Sequence, residues 1–323
     1  CCSAQAVRGA RALAHGLGLP HLTLDLREEF RAGVVDPWLA DHARGLTPNA
    51  CVRCNGHVRL DAMLALADRL GARALATGHY ARLGDERPPL LRAAADPAKD
   101  QSYMLAALAP ESLARMHFPL GELRKPEVRE LAARAGLPVA AKPDSQDLCF
   151  LAGTGRSAFL ARHGGQTERP GPIVDTDGRV LGRHRGHHGF TVGQRRGLGI
   201  GGGRPLHVLA TDAAGNTVIV GPREQLATRT VALSELTLHR AADRVNRVKL
   251  RYRAPAVAAR VTGALGPGHH SRAALELEAP VDGAAPGQLA CLLSGDVVVG
   301  HATIAAPAPA SPARSSAPLT SSS

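Results

Sequence analysis

Two thiol-bearing segments contain the side chains of this chain that are best suited to covalent chemistry. The first, Pro48-Asn49-Ala50-Cys51-Val52-Arg53-Cys54-Asn55, places two cysteines three positions apart beside a turn. The second, Ser145-Gln146-Asp147-Leu148-Cys149-Phe150, places one cysteine in a polar turn. A thiolate attacks a second sulfur through a mixed disulfide, so two thiols that face each other can pass sulfur between them. We therefore expect Cys54 and Cys149 to form a working pair.

The Cys51–Cys54 spacing has three common uses. Structural zinc needs two further ligands, and the chain has no second Cys-x-x-Cys, so no metal site is predicted. A dithiol redox motif starts a helix directly after a strand, whereas Thr47-Pro48-Asn49 supplies a turn here. The third use is one reactive cysteine with a bystander. We expect a helix to begin near Asn55 and its positive end, helped by Arg53, to lower the pKa of Cys54. An inert buried cysteine is the alternative for each thiol.

Composition favours a chain of two or three domains with an anionic partner. The chain has 323 residues and a formal charge of +11. Residues 155–304 carry 19 Lys and Arg against 11 Asp and Glu, whereas residues 1–154 carry 19 against 17. A basic second half favours nucleic acid, although an arginine-preferring genome would also explain it, since only four lysines occur.

Other broad features concern location and completeness. No run of about eighteen apolar residues occurs, so no membrane span is predicted. Six cysteines in a chain of this length are typical of an intracellular protein with a few reactive thiols, not of a secreted disulfide scaffold. The chain opens Cys1-Cys2-Ser3-Ala4 without an initiator Met, so we expect it to lack its true N-terminus.

Hydrophobic spacing predicts alternating helices and strands in the first part of the chain, and hence a parallel α/β sheet. The predicted elements are a helix from Ser3 to Leu17, a strand His21–Leu26, a helix Glu28–Ala43 interrupted by Pro37, a helix Val58–Leu70 and a strand Ala74–Ala76. Ligands bind beyond the carboxyl ends of such strands, where Gly78 and His79 lie. A capped loop histidine is the alternative for His79.

A polar turn, Asp96-Pro97-Ala98-Lys99-Asp100-Gln101-Ser102, precedes a predicted helix from Tyr103 to Leu108. A Lys and a Gln at a helix start can contact phosphate or sugar. A solvated helix start is the alternative.

From about residue 156 the pattern becomes β-rich and basic. A hairpin is predicted around Asp177-Gly178. The Gly197-Leu198-Gly199-Ile200-Gly201-Gly202 run lacks the strand and helix that dinucleotide binding needs, so we interpret it as a basic loop. Residues 228–304 predict a small barrel, in which a strand Arg247–Arg253 presents Lys249, Arg251 and Arg253 to phosphate. A solvated sheet face is the alternative for these three.

Several motifs together resemble the tRNA-specific 2-thiouridylase family and run in family order over nearly the whole chain. The matching segments are Thr47 to Asn55, Ala76 to Ala81, Lys99 to Tyr103, Asp144 to Phe150, Thr191 to Gly201, and Arg251-Tyr252.

The resemblance implies an α/β fold: the remainder of a parallel-sheet, PP-loop ATP pyrophosphatase-type domain, then a small central mostly-β domain and a C-terminal β-barrel. The expected boundaries are 1–155 for the catalytic domain, 156–227 for the central tRNA-binding domain, 228–304 for the barrel and 305–323 for a disordered tail.

The resemblance also implies ATP-dependent exchange of the 2-oxygen of the tRNA wobble uridine for sulfur in the cytoplasm, with Mg²⁺ and a persulfide sulfur-relay donor protein. Cys54 would be the nucleophile and Cys149 the persulfide carrier, with an alternate disulfide between them. Gly78 would contact ATP. The implied tRNA contacts are His79, Lys99, Asp100, Gln101, Arg251, Tyr252 and Gln288, and the implied contacts with the target base are Asn49, Ala50 and Cys51.

Two departures from the family pattern affect these expectations. The Ser-Gly-Gly-x-Asp-Ser-Ser loop that cradles ATP phosphates in the family is absent from this sequence, so weak or no ATP binding and no thiolation are expected of the chain as it stands. Ala50 replaces a proline that is usual in the family, which relaxes the turn before Cys51. The competing readings are a relative that adenylates a small molecule and a non-catalytic RNA-binding module.

Overall fold

The first part of the chain is built mainly from helices. The computed structural model describes residues 4–142, 148–151, 153–165, 168–201 and 203–306. The helices up to the first strand are α1 (Ala4–Gly16), α2 (Arg27–Phe30), a π-helix (Arg31–Val35), α3 (Asp36–Ala43), α4 (Ala50–Cys54), a second π-helix (Asn55–Arg59) and α5 (Leu60–Arg69). Helical backbone runs through Pro37, with the π-helix Arg31–Val35 directly before α3, and the Gly33 carbonyl four residues before the proline accepts a hydrogen bond from the Arg53 side chain.

The predicted strand His21–Leu26 does not form. Residues 19–26 have no regular secondary structure, and Leu22 is 63% exposed. An alternating segment becomes a strand only when another strand pairs with it, and no described strand lies beside this segment. The alternation of apolar and polar residues from His21 to Leu26 therefore predicts a strand that does not form.

A short parallel pair of strands carries the Gly78 loop. The elements from there to the end of this part are β1 (Leu75–Ala76), β2 (Arg82–Leu83), β3 (Leu91–Arg92), α6 (Ser102–Leu105), α7 (Pro110–Leu113), β4 (Met116–His117), α8 (Lys125–Arg134), a 3₁₀ turn (Cys149–Leu151) and α9 (Arg156–Gly164). β1 pairs in parallel with β4, through Leu75 with Met116 and Ala76 with His117. Thr77 to Tyr80 follow the carboxyl end of β1, as the sequence predicts.

The central part is a four-stranded sheet. Its strands, β5 (Gly171–Val174), β6 (Val180–His184), β7 (His207–Asp212) and β8 (Thr217–Gly221), lie in the order β6-β5-β8-β7. The predicted hairpin joins β5 to β6, with Gly178 at φ 82° in its turn. Ile173, Val208, Val218 and Val220 form the core of this sheet.

The C-terminal part is a closed six-stranded barrel, which confirms the barrel prediction. Its strands are β9 (Ala227–Leu238), β10 (Arg247–Lys249), β11 (Val257–Val261), β12 (Gly268–Asp282), β13 (Leu289–Ser294) and β14 (Val297–Ile304). They follow the order β13-β10-β11-β12-β9-β14, and β14 pairs back onto β13. The predicted tail lies outside the described residues from Pro307 onward.

Strand β13 joins the barrel to the helices. Successive side chains of a strand point to opposite faces. Ala290 and Leu292 therefore enter the barrel core, while Leu289, Cys291 and Leu293 pack into a second core with the helices. The members of that second core from the first part of the chain include Leu60, Leu64, Tyr103, Leu105 and Leu113. The Tyr103 hydroxyl donates a hydrogen bond of 2.9 Å to the Leu289 carbonyl, so the two units share buried structure.

Among the described residues, no helix is both long and apolar enough to cross a membrane.

Buried His42 makes the stability of the fold depend on pH. The side chain is 4% exposed and lies edge-on to Trp38, and burial lowers its pKa from 6.5 to about 3. Between about pH 3 and pH 6.5 the unfolded chain binds a proton on His42 that the folded chain does not bind. The free energy of unfolding therefore falls as the pH drops from about 6.5 toward 3. The loss is on the order of 1.4 kcal/mol per pH unit for this one group.

Urea unfolding from pH 7 down to pH 5 tests this expectation. The wild-type free energy of unfolding should fall with pH, and His42→Leu should show a shallower slope. Identical slopes for the two proteins would contradict the assignment of the effect to His42.

Candidate thiol and nucleotide site

The cysteine turn is built on a capped helix. Asn49 is the N-cap of α4, with its side-chain oxygen accepting hydrogen bonds from the backbone N–H groups of Cys51 (3.1 Å) and Val52 (3.2 Å). The helix therefore begins at Ala50, not near Asn55. This places Cys51 in the first turn and Cys54 at the end of α4, where the π-helix starts.

The expected low pKa of Cys54 is wrong. Burial raises the pKa of this thiol, and the nearby charge of Cys149 raises it further, whereas Arg59 opposes the rise. Arg53 is not among the groups that act on Cys54, because its guanidinium turns away and donates to the Gly33 carbonyl at 2.6 Å. Desolvation of the thiolate outweighs the opposing charge of Arg59.

Cys149 lies beside the other two thiols. It is exposed, and its neighbours Leu148 and Phe150 pack against the hydrophobic cluster that contains Ala50 and Cys54. A charge on Cys149 also contributes to raising the pKa of both Cys51 and Cys54. The fold thus brings together two thiol segments that are far apart in the sequence. Part of the second motif, Ser145 to Asp147, lies outside the described residues.

The described cysteines, Cys51, Cys54, Cys149 and Cys291, are free thiols. A resting disulfide between Cys54 and Cys149 is therefore not supported. The two thiols approach through separate packed segments and are not held by a covalent bond.

Gly78 and His79 line an open pocket of about 450 Å³. The other lining residues are Arg59, Leu60, Met63, Ala76, Thr77 and Gln101. A Cβ added at Gly78 would meet only the Leu120 side chain, at 3.8 Å, so a ligand can approach the backbone here. The volume lies within the usual range for small-ligand sites, about 300–1,000 Å³.

His79 is a neutral ring with an assigned tautomer. The Arg59 guanidinium lies 3.1 Å from Nε2, and because a guanidinium only donates, Nε2 accepts. The proton is then on Nδ1, which donates to the Thr77 hydroxyl at 2.8 Å. Burial, followed by the charge of Arg59, lowers the pKa of His79 to about 4.

Asp100 and Gln101 make their hydrogen bonds inside the protein. Asp100 Oδ1 accepts from the backbone N–H groups of Ala94 and Ser102, and Oδ2 accepts from the Ser102 hydroxyl. The Gln101 side-chain oxygen accepts from the Tyr80 N–H at 2.9 Å, and the Gln101 backbone N–H donates to the Tyr80 carbonyl. Gln101 thereby fixes the end of the loop that carries Gly78 and His79, and Asp100 fixes the turn between Ala94 and Ser102. Lys99 lies in the turn directly before them.

The predicted strand Arg247–Arg253 ends early, at Lys249, and Arg251 to Ala254 form a turn. Lys249 does not lie on a solvent-facing basic face as predicted. Its ammonium is largely buried and reaches Asp100 Oδ2 at 3.4 Å. Arg251 donates to the carbonyls of Asp282 and Gly283, which holds the turn against the end of β12.

Tyr252 and Gln288 bring the barrel to the cysteine turn. The Tyr252 ring lies 6.3 Å from the Tyr103 ring. Burial is the main cause of the raised pKa of Tyr252, and the charge of Cys51 contributes to it. The Gln288 side chain donates to the Thr47 carbonyl, and the Thr47 N–H donates to the Pro286 carbonyl at 2.8 Å. A barrel loop therefore braces the chain two residues before the Asn49 cap.

Two functional features had no local sequence signal. Arg59 lies five residues after Cys54, and only its contact with His79 shows that it belongs to the pocket. The Lys249–Asp100 pair joins residues from different domains. Among the described residues, no group of three or more His, Cys, Asp or Glu side chains is placed to hold a metal ion.

The fold is an α/β unit docked on a closed β-barrel, and the α/β unit carries both an open pocket and the free thiols Cys51, Cys54 and Cys149. Three family models match the chain: a tRNA methyl transferase HUP domain over residues 1–153, a tRNA methyl transferase PRC-barrel domain over 157–222, and an aminomethyltransferase beta-barrel domain over 229–304.

Curated relatives cover nearly the whole chain. The tRNA-specific 2-thiouridylase MnmA of Beutenbergia cavernae is 45% identical over 319 residues, which cover 95% of this chain and 83% of the relative. The proteins of the same name from Xanthobacter autotrophicus and Geobacter metallireducens are 44% and 43% identical, cover 92% and 93% of this chain, and are themselves covered over 77% and 82%. This chain belongs to the tRNA-specific 2-thiouridylase family.

Proposed function

We propose that this protein transfers sulfur to the 2-position of the wobble uridine of tRNA. The observation that carries the proposal is that the segments of Cys149 and Cys54 pack on one hydrophobic cluster, while Arg59, five residues after Cys54, lines the Gly78 pocket. The family models are described as methyl transferase domains, but their matched relatives are named thiouridylases. Two free thiols on neighbouring segments favour sulfur transfer, because one thiolate can discharge a persulfide held on the other cysteine.

The pocket fits an adenine nucleotide in size and in access to its backbone. Gly78 would lie against the nucleotide, with Ala76 and Thr77 forming the wall beside it. Bound ATP supplies the adenylyl group that turns the uracil 2-oxygen into a leaving group. Mg²⁺ commonly binds through phosphates and only one or two carboxylates. The protein needs no dedicated metal cage for that ion.

Cys149 suits the role of persulfide carrier, and Cys54 suits that of nucleophile. The exposed Cys149 is accessible to a sulfur-donor protein, which would leave a terminal sulfur on it. That sulfur forms a bond to carbon 2 as the activated oxygen leaves. The Cys54 thiolate then attacks the Cys149 sulfur, the sulfur stays on the base, and the electron pair of the broken S–S bond goes with it. The step leaves a transient Cys54–Cys149 disulfide, which a thiol reductant returns to two free thiols.

The remaining predicted residues have positions consistent with tRNA contact. Asn49, Ala50 and Cys51 form the first turn of the helix that ends at Cys54, so they would lie against the target base. We propose the following residues as tRNA contacts: His79, Lys99, Asp100, Gln101, Arg251, Tyr252 and Gln288. The basic second half would hold the phosphate backbone. We propose domain boundaries at residues 155 and 227 and a cytoplasmic location, where tRNA is found.

Complementation tests the proposed function. The full-length gene that includes this chain should restore 2-thiouridine in tRNA from a bacterial strain that lacks the modification, as measured by nucleoside mass spectrometry. An empty vector is the control. If the protein releases no AMP from ATP and the tRNA contains no 2-thiouridine, the proposal is contradicted. New methylated uridine in place of 2-thiouridine would favour methyl transfer.

A further inference from the structure

Arg59 is placed on the same side of its helix as Cys54 by the π-helix Asn55–Arg59. In an α-helix, residues five positions apart point in directions about 140° apart, at about 100° per residue. A π-helix closes an i→i+5 hydrogen bond, so the same two residues stack on successive turns. The Arg59 guanidinium and its backbone N–H both oppose the rise that burial causes in the pKa of Cys54.

The Arg59 guanidinium contacts the pocket residues directly. Its Nη2 atom donates to Asn55 Oδ1 at 2.7 Å and lies 3.1 Å from Nε2 of His79. Asn55 is itself fixed, because its amide donates to the Met104 carbonyl at 3.2 Å. Within the described part of the chain, Arg59 Nε is buried and has no hydrogen-bond partner. Asn55 and His79 therefore position the Arg59 side chain, and its Nε–H group makes no hydrogen bond to the described residues.

The same guanidinium acts on three titrating groups. It opposes the burial that raises the pKa of Cys54 and of Cys51, and it helps burial to lower the pKa of His79. The other group that acts strongly on Cys54 is Cys149, whose charge works in the opposite direction. Arg59 is thus the cation between the thiols and the pocket.

We propose that Arg59 is a positioning residue of the sulfur-transfer site, whose guanidinium joins the helical turn after Cys54 to the His79 wall of the pocket. Its role in the reaction rests on the proposed function. Its effect on Cys54 and His79 does not, because neither ATP nor tRNA is needed to observe it. A single side chain then couples the charge state of the nucleophile to the wall of the nucleotide pocket.

The pH profile of Cys54 alkylation tests the proposal. Iodoacetamide labelling of the intact chain, read at Cys54 by peptide mass spectrometry, reports the thiolate fraction. Arg59→Met should move the Cys54 midpoint upward by about one pH unit, and lower the labelling rate below that midpoint about tenfold. Arg59→Lys should restore most of the rate, because it keeps the charge.

Arg53→Met is the matched control, because Arg53 lies next to Cys54 but points to the Gly33 carbonyl. Its labelling profile should equal that of the wild type. If Arg59→Met does not fold, as judged by circular dichroism, Arg59→Gln replaces it. A Cys54 midpoint that is the same with and without the guanidinium overturns the proposal, even if the protein makes 2-thiouridine.

Titration of the His79 ring by NMR gives a second readout. The pKa of His79 should rise in Arg59→Met, because a positive neighbour that disfavoured the protonated ring has been removed. The His79→Gln spectrum assigns the resonance. An unchanged His79 titration overturns the coupling between thiols and pocket.

Discussion

Cys54→Ser and Cys149→Ser are each expected to lower 2-thiouridine formation by at least about a thousandfold, as loss of a covalent catalytic group commonly does. The two thiol segments pack on one cluster, so each thiol is in place for sulfur exchange. A serine hydroxyl has the size of the thiol but neither carries a persulfide nor attacks one. Binding of tRNA should be unchanged, because neither substitution alters the basic surface. Nucleoside mass spectrometry and a filter-binding assay measure the two quantities.

The two variants should also fail at different steps. Cys54→Ser should still accept sulfur on Cys149 and should accumulate the persulfide, because the thiolate that discharges it is missing. Cys149→Ser should carry no persulfide after incubation with the sulfur donor. Intact-mass analysis distinguishes these states. A persulfide found on Cys54 in the Cys149→Ser variant would reverse the assigned roles.

Cys291→Ala provides the control for this series. Cys291 is 1% exposed in the core between barrel and helices, and burial raises its pKa to about 12, so it is an inert structural thiol. Its replacement should lower stability and leave thiolation of the remaining folded protein intact. Loss of activity in this variant without unfolding would show that thiol substitutions act nonspecifically.

Local sequence signals predicted the elements whose formation depends mainly on their own residues. The β-rich pattern of residues 228–304 predicted a small barrel, which β13 and β14 close by pairing with each other. The helix α5 follows its apolar spacing. The Asn49 cap was also readable, because Asn before a helix accepts the orphan N–H groups of its first turn. Placing the helix start near Asn55 missed that signal, and burial, which local spacing does not show, made the pKa of Cys54 rise instead of fall.

Tertiary pairing decided the features that the sequence did not predict. His21–Leu26 alternates but has no described partner strand, so it remains irregular. Gln288 and Thr47 meet only because the barrel loop packs against the turn before α4. Neither outcome depends on local spacing, because both are set by which surfaces the complete fold brings together. The family resemblance named most site residues but did not indicate that several of them hold one another.

The Lys249–Asp100 pair should be the most costly polar contact to break in this protein. Lys249 comes from β10 of the barrel, Asp100 from the turn before α6, and their side chains are 14% and 9% exposed. A buried charge left without its partner typically costs about 3–5 kcal/mol. Lys249→Met should therefore lower the free energy of unfolding by about 3 kcal/mol. Urea unfolding of the intact chain measures it.

A double mutant separates the free energy lost with the Lys249–Asp100 contact from the cost of a buried charge that has no partner. Lys249→Met with Asp100→Asn should recover part of the stability, since no buried charge then lacks a partner. Arg223→Met breaks an exposed pair, 70% and 42% exposed, and should cost no more than about 1 kcal/mol. Equal costs for Lys249→Met and Arg223→Met would show that the buried pair does not hold the barrel to the helices. If the pair does hold them, Lys249→Met should also weaken 2-thiouridine formation, because the barrel loop that braces the cysteine turn would move with the barrel.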